Sequence, residues 1–224
     1  VVRVTPVSKA GNKTRQFSEL SYAIIGLGLM GGSYAKALRS LGAKEIIAVD
    51  RDENVLQMAK SEGVIDIGIT NADETLGKAD VVICCIYPEA IAGFIRDNVQ
   101  YFKADALVTD IAGIKGKLIS EVQPLMGPRM EFISGHPMAG RQASGLAMSD
   151  DNIFRNANYI IIFVFKRTDF HRSGGIGTLG DTVPHGVFHK RLYRKRRQRK
   201  RICFNIVFHA NTRETHFLNR KIIA

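Results

Sequence analysis

AIIGLGLMGGS, residues 23–33, decides the fold of this chain. It closes a short apolar run, SYAIIGLG (21–28), that reads as a buried strand, and it opens GGSYAKALRSLG (31–42), whose Tyr34, Leu38 and Leu41 recur at helical spacing. Gly42 is placed to stop that helix. Gly26, Gly28 and Gly31 fit the pattern G-x-G-x-x-G between strand and helix. Each glycine has a separate physical task. Gly26 allows the tight turn, Gly28 lets the backbone approach a pyrophosphate, and Gly31 lets the helix lie close on the sheet. Leu27, Leu29 and Met30 complete the candidate dinucleotide loop. The unpaired N–H groups at the start of the helix offer partial positive charge to phosphates. Asp50 ends the next strand, EIIAVD (45–50), about 20 residues on, where the fingerprint places a carboxylate for the ribose hydroxyls. That carboxylate repels a 2′-phosphate and favours NAD. The neighbouring Arg51 can pair with a 2′-phosphate, so NADP stays open.

Beyond this unit the pattern repeats. ENVLQMAKSEG (53–63) reads as a helix with Val55, Met58 and Ala59 on one face and Gly63 as its stop. ADVVICCIYP (79–88) is a strand apolar enough to be covered on both faces. A helix follows from Pro88, then a strand over 106–113, a helix beginning with IKGKLISEVQPL, a strand leading into a loop over 130–140, and a last strand over 157–164. Strands alternating with helices predict an α/β, Rossmann-type, doubly wound and mostly parallel sheet over residues 21–164. Residues 1–20 are polar and basic without an apolar core, and read as a disordered leader rather than a signal or transit peptide.

Ligands of such sheets lie beyond the carboxyl ends of the strands. Three segments meet that condition. In CCIYPEA (84–90), Pro88 stops the strand and leaves Ile86 and Tyr87 beside the cofactor. TDIAGIKGK (109–117) contributes Asp110, Gly113 and Lys115, with Asp110 a candidate at the cofactor and the other two at the substrate. For Asp110 and Lys115, a structural role in loop orientation or helix capping is the preferred reading over ligand contact. SGHPMAGRQASG (134–145) carries His136, the one histidine ahead of residue 165, in a loop rich in Gly and Pro. A neutral imidazole beside a dinucleotide can take a proton from a hydroxyl as hydride leaves the same carbon. His136 is therefore the candidate catalytic residue and a candidate substrate contact.

The combination of IIGLGLMGGS, AVDRD, DIAGIKGK and above all GHPMAGRQASG resembles the prephenate and arogenate dehydrogenases over about residues 21–164. The resemblance implies NAD(P)-dependent oxidative decarboxylation of prephenate to 4-hydroxyphenylpyruvate in tyrosine biosynthesis, with His136 at the ring hydroxyl. Arogenate dehydrogenase is the near alternative. G-L-G-x-M-G also occurs in β-hydroxyacid dehydrogenases, but the lysine of their helical domain has no counterpart here. Many members of the resembled family carry Ser where this chain has Gly113.

Charge divides the chain at the same place as the resemblance. Residues 1–164 carry a net −1 and residues 165–224 a net +12, with five of the six histidines in the later segment. The resembled family continues with a helical domain that forms a homodimer and supplies an Arg for the substrate carboxylates. Nothing in 165–224 resembles it. The dense run RKRRQRKR (194–201) can be a nucleic-acid or nuclear-localisation arm, or a solvated charged arm. The reading preferred here is a shifted reading frame. Moving the codons of Arg196 to Val207 by one nucleotide permits a sequence similar to the family's H-D-x-x-I-A-F-T-S helix. On that reading the dimer is lost, dinucleotide binding survives and turnover is impaired. A near-neutral folded part argues against nucleic acid as a partner. The three cysteines, Cys84, Cys85 and Cys203, have neither disulfide nor metal spacing, and no apolar run reaches the roughly 20 residues of a membrane span. A reducing cytoplasmic compartment and no metal are expected.

Overall fold

A computed structural model describes residues 16–163. The basic segment from 165 onward, with the frame-shift reading that falls on it, lies outside the described residues, as does most of the expected leader.

Seven strands form one sheet: β1 (Ser21–Ile25), β2 (Glu45–Val49), β3 (Ile67–Ile69), β4 (Val81–Cys84), β5 (Leu107–Asp110), β6 (Glu131–Pro137) and β7 (Tyr159–Phe163). Their spatial order is β3-β2-β1-β4-β5-β6-β7. All neighbours are parallel except β6 and β7, which are antiparallel. Four helices connect them: α1 (Leu29–Ser40), α2 (Glu53–Ser61), α3 (Pro88–Asn98) and α4 (Gly116–Val122).

The alternation inside β1 explains the two layers. Ala23 and Ile25 enter one core with Ile91, Ala92 and Ile95 of α3 and Leu118 and Val122 of α4. Tyr22 and Ile24 enter the other with Ala35 and Leu38 of α1 and Leu56 and Ala59 of α2. Successive strand residues point to opposite faces, so a strand covered on both sides must be apolar throughout. The expected doubly wound, mostly parallel Rossmann-type sheet is the one observed. The chain reverses direction across the sheet between β1 and β4, which opens a crevice at their carboxyl ends.

Several local expectations shift. Residues 16–20, expected in the leader, belong to the domain: Phe17 stacks on Tyr22 at 5.0 Å and Leu20 is buried. On α2 the buried face is Leu56 and Ala59, which pack on Ile46, Ala48 and Ile65, while Met58 is exposed. Leu41 is exposed because it caps α1 instead of extending it. Gly42 and Gly63 do stop α1 and α2, with φ of +77° and +67°. Pro88 is the first residue of α3, so β4 ends four residues earlier than the expected strand. The edge strand β3, only three residues long, has too little alternation to be read from sequence.

Candidate functional site

The glycine-rich turn is built as its spacing demands. Gly26 has φ +92°, and a Cβ there would sit 2.8 Å from Ile86 Cγ2. A Cβ on Gly31 would lie 1.8 Å from the Gly26 carbonyl oxygen, so the α1 backbone rests directly on the turn. Gly28 differs from both: nothing stands within 4 Å of its would-be Cβ, and the residue is exposed. The Gly32 N–H makes the first backbone bond of α1, to the Gly28 carbonyl at 2.9 Å. The N–H groups of Leu29, Met30 and Gly31 therefore have no acceptor within the helix. An open cradle at Gly28 facing a helix N-terminus fits a diphosphate.

Asp50 is fixed at the mouth of this turn. Its Oδ2 accepts from the Leu27 N–H at 2.6 Å and its Oδ1 from the Asp52 N–H at 3.0 Å. A carboxylate has about four acceptor positions, so it retains capacity for ribose hydroxyls. Arg51 is exposed beside it. The Leu27 side chain is buried in the core, and only its backbone belongs to the loop. Leu29 and Met30 are half-buried. Beyond β4, Ile86 leans over Gly26, Tyr87 is 82% exposed, and Pro88 is half-buried.

His136 lies within β6, not in the loop that its Gly/Pro surroundings suggested. The pairing of β5 with β6 ends at Asp110 and Ser134, and β6 continues beyond it against β7, where His136 pairs with Ile160. The partner strand β7 supplies the ladder that local sequence could not reveal. The half-buried imidazole has Nδ1 3.5 Å from the Ile111 carbonyl oxygen. A carbonyl only accepts, so this contact favours the proton on Nδ1 and leaves Nε2 as an acceptor. Gly113 faces the same ring: a Cβ there would lie 3.4 Å from His136 Cε1. The position carrying Ser in the resembled family thus stands against the imidazole and has room for a small side chain.

Asp110, a candidate at the cofactor, directs its carboxylate into the protein. Its side chain is fully buried, and its oxygens accept from Ser134 Oγ at 2.7 Å, the Ala112 N–H at 2.9 Å and Lys115 Nζ at 2.5 Å. Lys115 also turns inward, donating from Nζ to the Gly135 carbonyl at 2.5 Å. Burial lowers the Lys115 pKa, against the opposing pull of Asp110. The sequence placed Tyr34 only on the apolar face of its helix and gave Ser134, Gly135 and Tyr159 no part in the site. Tyr34 of α1 donates to the Tyr159 hydroxyl of β7 at 2.9 Å, and a Cβ on Gly135 would meet that hydroxyl at 2.6 Å. The Tyr34–Tyr159 contact therefore links the phosphate helix to the strand pair that carries His136. Desolvation pushes both phenols up, Tyr159 to about 12. No helix of the described residues is long and apolar enough to cross a membrane, and no group of three or more His, Cys, Asp or Glu among them is arranged to hold a metal.

Known proteins match this arrangement. Residues 34–166 fit the family profile described as prephenate dehydrogenase, nucleotide-binding domain. A prephenate dehydrogenase of Lactococcus lactis is 33% identical over 142 residues, covering 62% of this chain and 39% of that protein. Among solved structures, Synechocystis arogenate dehydrogenase has a TM-score of 0.61 at 27% identity, covering 68% of this chain and 53% of that one. Prephenate dehydrogenase from A. aeolicus, solved with hydroxyphenyl propionate and NAD+, has a TM-score of 0.60 at 31% identity, covering 65% of this chain and 51% of that one. This chain thus spans about two fifths of the length of the Lactococcus relative. The profile takes in more than half of the chain, including the strand that carries His136, and so the chain belongs to the prephenate dehydrogenase family through its nucleotide-binding domain.

Proposed function

We propose that residues 16–163 are the nicotinamide-dinucleotide half of a dehydrogenase acting on prephenate, with arogenate as the alternative substrate. The observation that carries this reading is the company kept along one sheet edge. An open glycine cradle follows β1, and a half-buried imidazole with Nδ1 toward the Ile111 carbonyl stands near the end of β6.

Gly26, Gly28 and the first turn of α1 hold the diphosphate. Asp50 accepts from the ribose hydroxyls, which selects NAD over NADP, while the exposed Arg51 keeps some affinity for a 2′-phosphate. Ile86, Tyr87 and Pro88 flank the bound dinucleotide. When bound, the nicotinamide supplies a two-electron acceptor. His136 Nε2 takes the proton of the ring hydroxyl as the carbon bearing it is oxidised, and loss of the ring carboxylate as carbon dioxide makes the ring aromatic. The residues of this chain therefore mainly align the ring and hold one proton acceptor in place.

The test is calorimetric titration of the whole 224-residue chain with NAD+ and with NADP+. The expected result is saturable binding of both with NAD+ tighter, and a narrowed preference in Asp50→Ala. Absence of dinucleotide binding overturns the reading. Prephenate and arogenate are then compared as substrates, and loss of about a hundredfold or more in turnover is expected for His136→Gln.

A further inference from the structure

The loops beside His136 are tied together by a buried ion pair that the proposed chemistry does not use. Lys115 Nζ lies 2.5 Å from Asp110 Oδ2 and 2.5 Å from the Gly135 carbonyl oxygen. Gly135 immediately precedes His136. Asp110 Oδ1 accepts from Ser134 Oγ, one residue further back on β6. Asp110 Oδ2 also accepts from the Ala112 N–H, between Ile111, whose carbonyl faces His136 Nδ1, and Gly113, whose Cα faces the ring. One carboxylate and one ammonium thus grip both the strand that carries the imidazole and the loop that lies against it. The Lys115 side chain is only 12% exposed and Asp110 is wholly buried. A buried pair of this kind is a poor source of net stability compared with apolar packing.

We propose that Lys115 is a positioning residue for His136. Its ammonium bridges Asp110 to the Gly135 carbonyl and so holds the imidazole with Nδ1 against Ile111 and Nε2 free. This gives the structural role preferred for Lys115 a definite form, with two of the three Nζ protons directed into the protein. The inference rests on the reading of His136 as the proton acceptor.

The experiment records nitrogen-15 spectra of histidine-labelled protein, using the whole chain. The His136 resonances are those absent from His136→Gln. Lys115→Met removes the bridge but leaves Asp110 buried without its cation. The double variant Asp110→Asn, Lys115→Met removes both charges and is the arm that guards against misfolding. In both, the ratio of Nδ1–H to Nε2–H forms of His136 is expected to fall by about threefold to tenfold, the effect of losing one neutral hydrogen bond. NADH affinity is expected to stay within about twofold, since the glycine cradle is untouched. An unchanged His136 tautomer in the folded double variant overturns the inference, whatever happens to melting temperature. Failure of the functional reading appears separately, as absence of dinucleotide binding by the unsubstituted chain.

Discussion

The two ends of the candidate site are made from opposite materials. Around Gly26–Gly31 the working surface is backbone, and it exists because side chains are missing: a methyl on Gly31 would be 1.8 Å from a carbonyl oxygen, and one on Gly26 would strike Ile86. Around His136 the surface is a side chain, and it is held by others buried beneath it, Asp110, Lys115 and Ser134. A phosphate cradle needs close approach and fixed dipoles, which backbone provides. A proton acceptor needs one lone pair aimed in one direction, and a strand end cannot fix that alone. The first construction fails by addition of atoms, the second by loss of them.

Adding atoms at the two glycines of the cradle should give the largest effects and separates their roles. Gly31→Ala is expected to destabilise the chain by about 3 kcal/mol or more, because backbone must move. Gly28→Ala, with open space around it, is expected to cost only about 1 kcal/mol or less, the loss of a favoured N-cap residue. Its NADH affinity should nevertheless fall by about tenfold or more, as the methyl stands where phosphate approaches. Denaturant melts and NADH fluorescence titrations read the two quantities. Equal stability losses in the two variants would erase the distinction drawn here.

At the other end, an added atom should be tolerated. Gly113→Ser places its Cβ at van der Waals distance from the imidazole. Stability is expected to stay within about 0.5 kcal/mol, while the His136 nitrogen resonances shift as a hydroxyl arrives beside the ring. A large loss of melting temperature would mean that this end is packed as tightly as the glycine turn.

The smallest effect concerns the linkage between the ends. Burial raises the pKa values of Tyr34, Tyr159, Cys84 and Cys85 above their ordinary ranges. A group whose folded pKa is raised keeps the folded state favoured while protonated. That stability is fully present below the ordinary pKa and is lost as pH rises through the folded one. Unfolding free energy should accordingly decline from about pH 9, where free thiols begin to ionise, through the phenol range toward pH 12. Tyr159→Phe should flatten the upper part of that decline, measured by urea melts at several pH values. An unaltered slope would show that burial does not hold the Tyr159 phenol neutral in the folded chain.

How much of this was legible follows from where the information sits. The glycine turn could be read residue by residue, because each requirement is local: a φ of +92° at Gly26, a close approach at Gly31, a carboxylate at the end of the next strand. The layered sheet was legible for the same reason, through its apolar strands. The phase of α2 was missed because Leu56 and Met58 are both apolar and only packing against the sheet decides which one faces inward. The loop expected around His136 proved to be strand because its partner, β7, lies more than twenty residues away. Asp110 and Lys115 were noticed as charges near the site, but their burial and the grip on Ser134 and Gly135 depend on neighbouring strands, and no local spacing records that.

Cys84 gives the fold a built-in clock. It closes β4, which hydrogen-bonds to β1 on one side and β5 on the other, and it is fully buried with its thiol held protonated. A thiol reagent can reach it only when the middle of the sheet opens, so its modification rate reports how often that opening occurs. A dinucleotide binding above that strand would slow the clock, and the slowing would report occupancy of the cradle without any turnover.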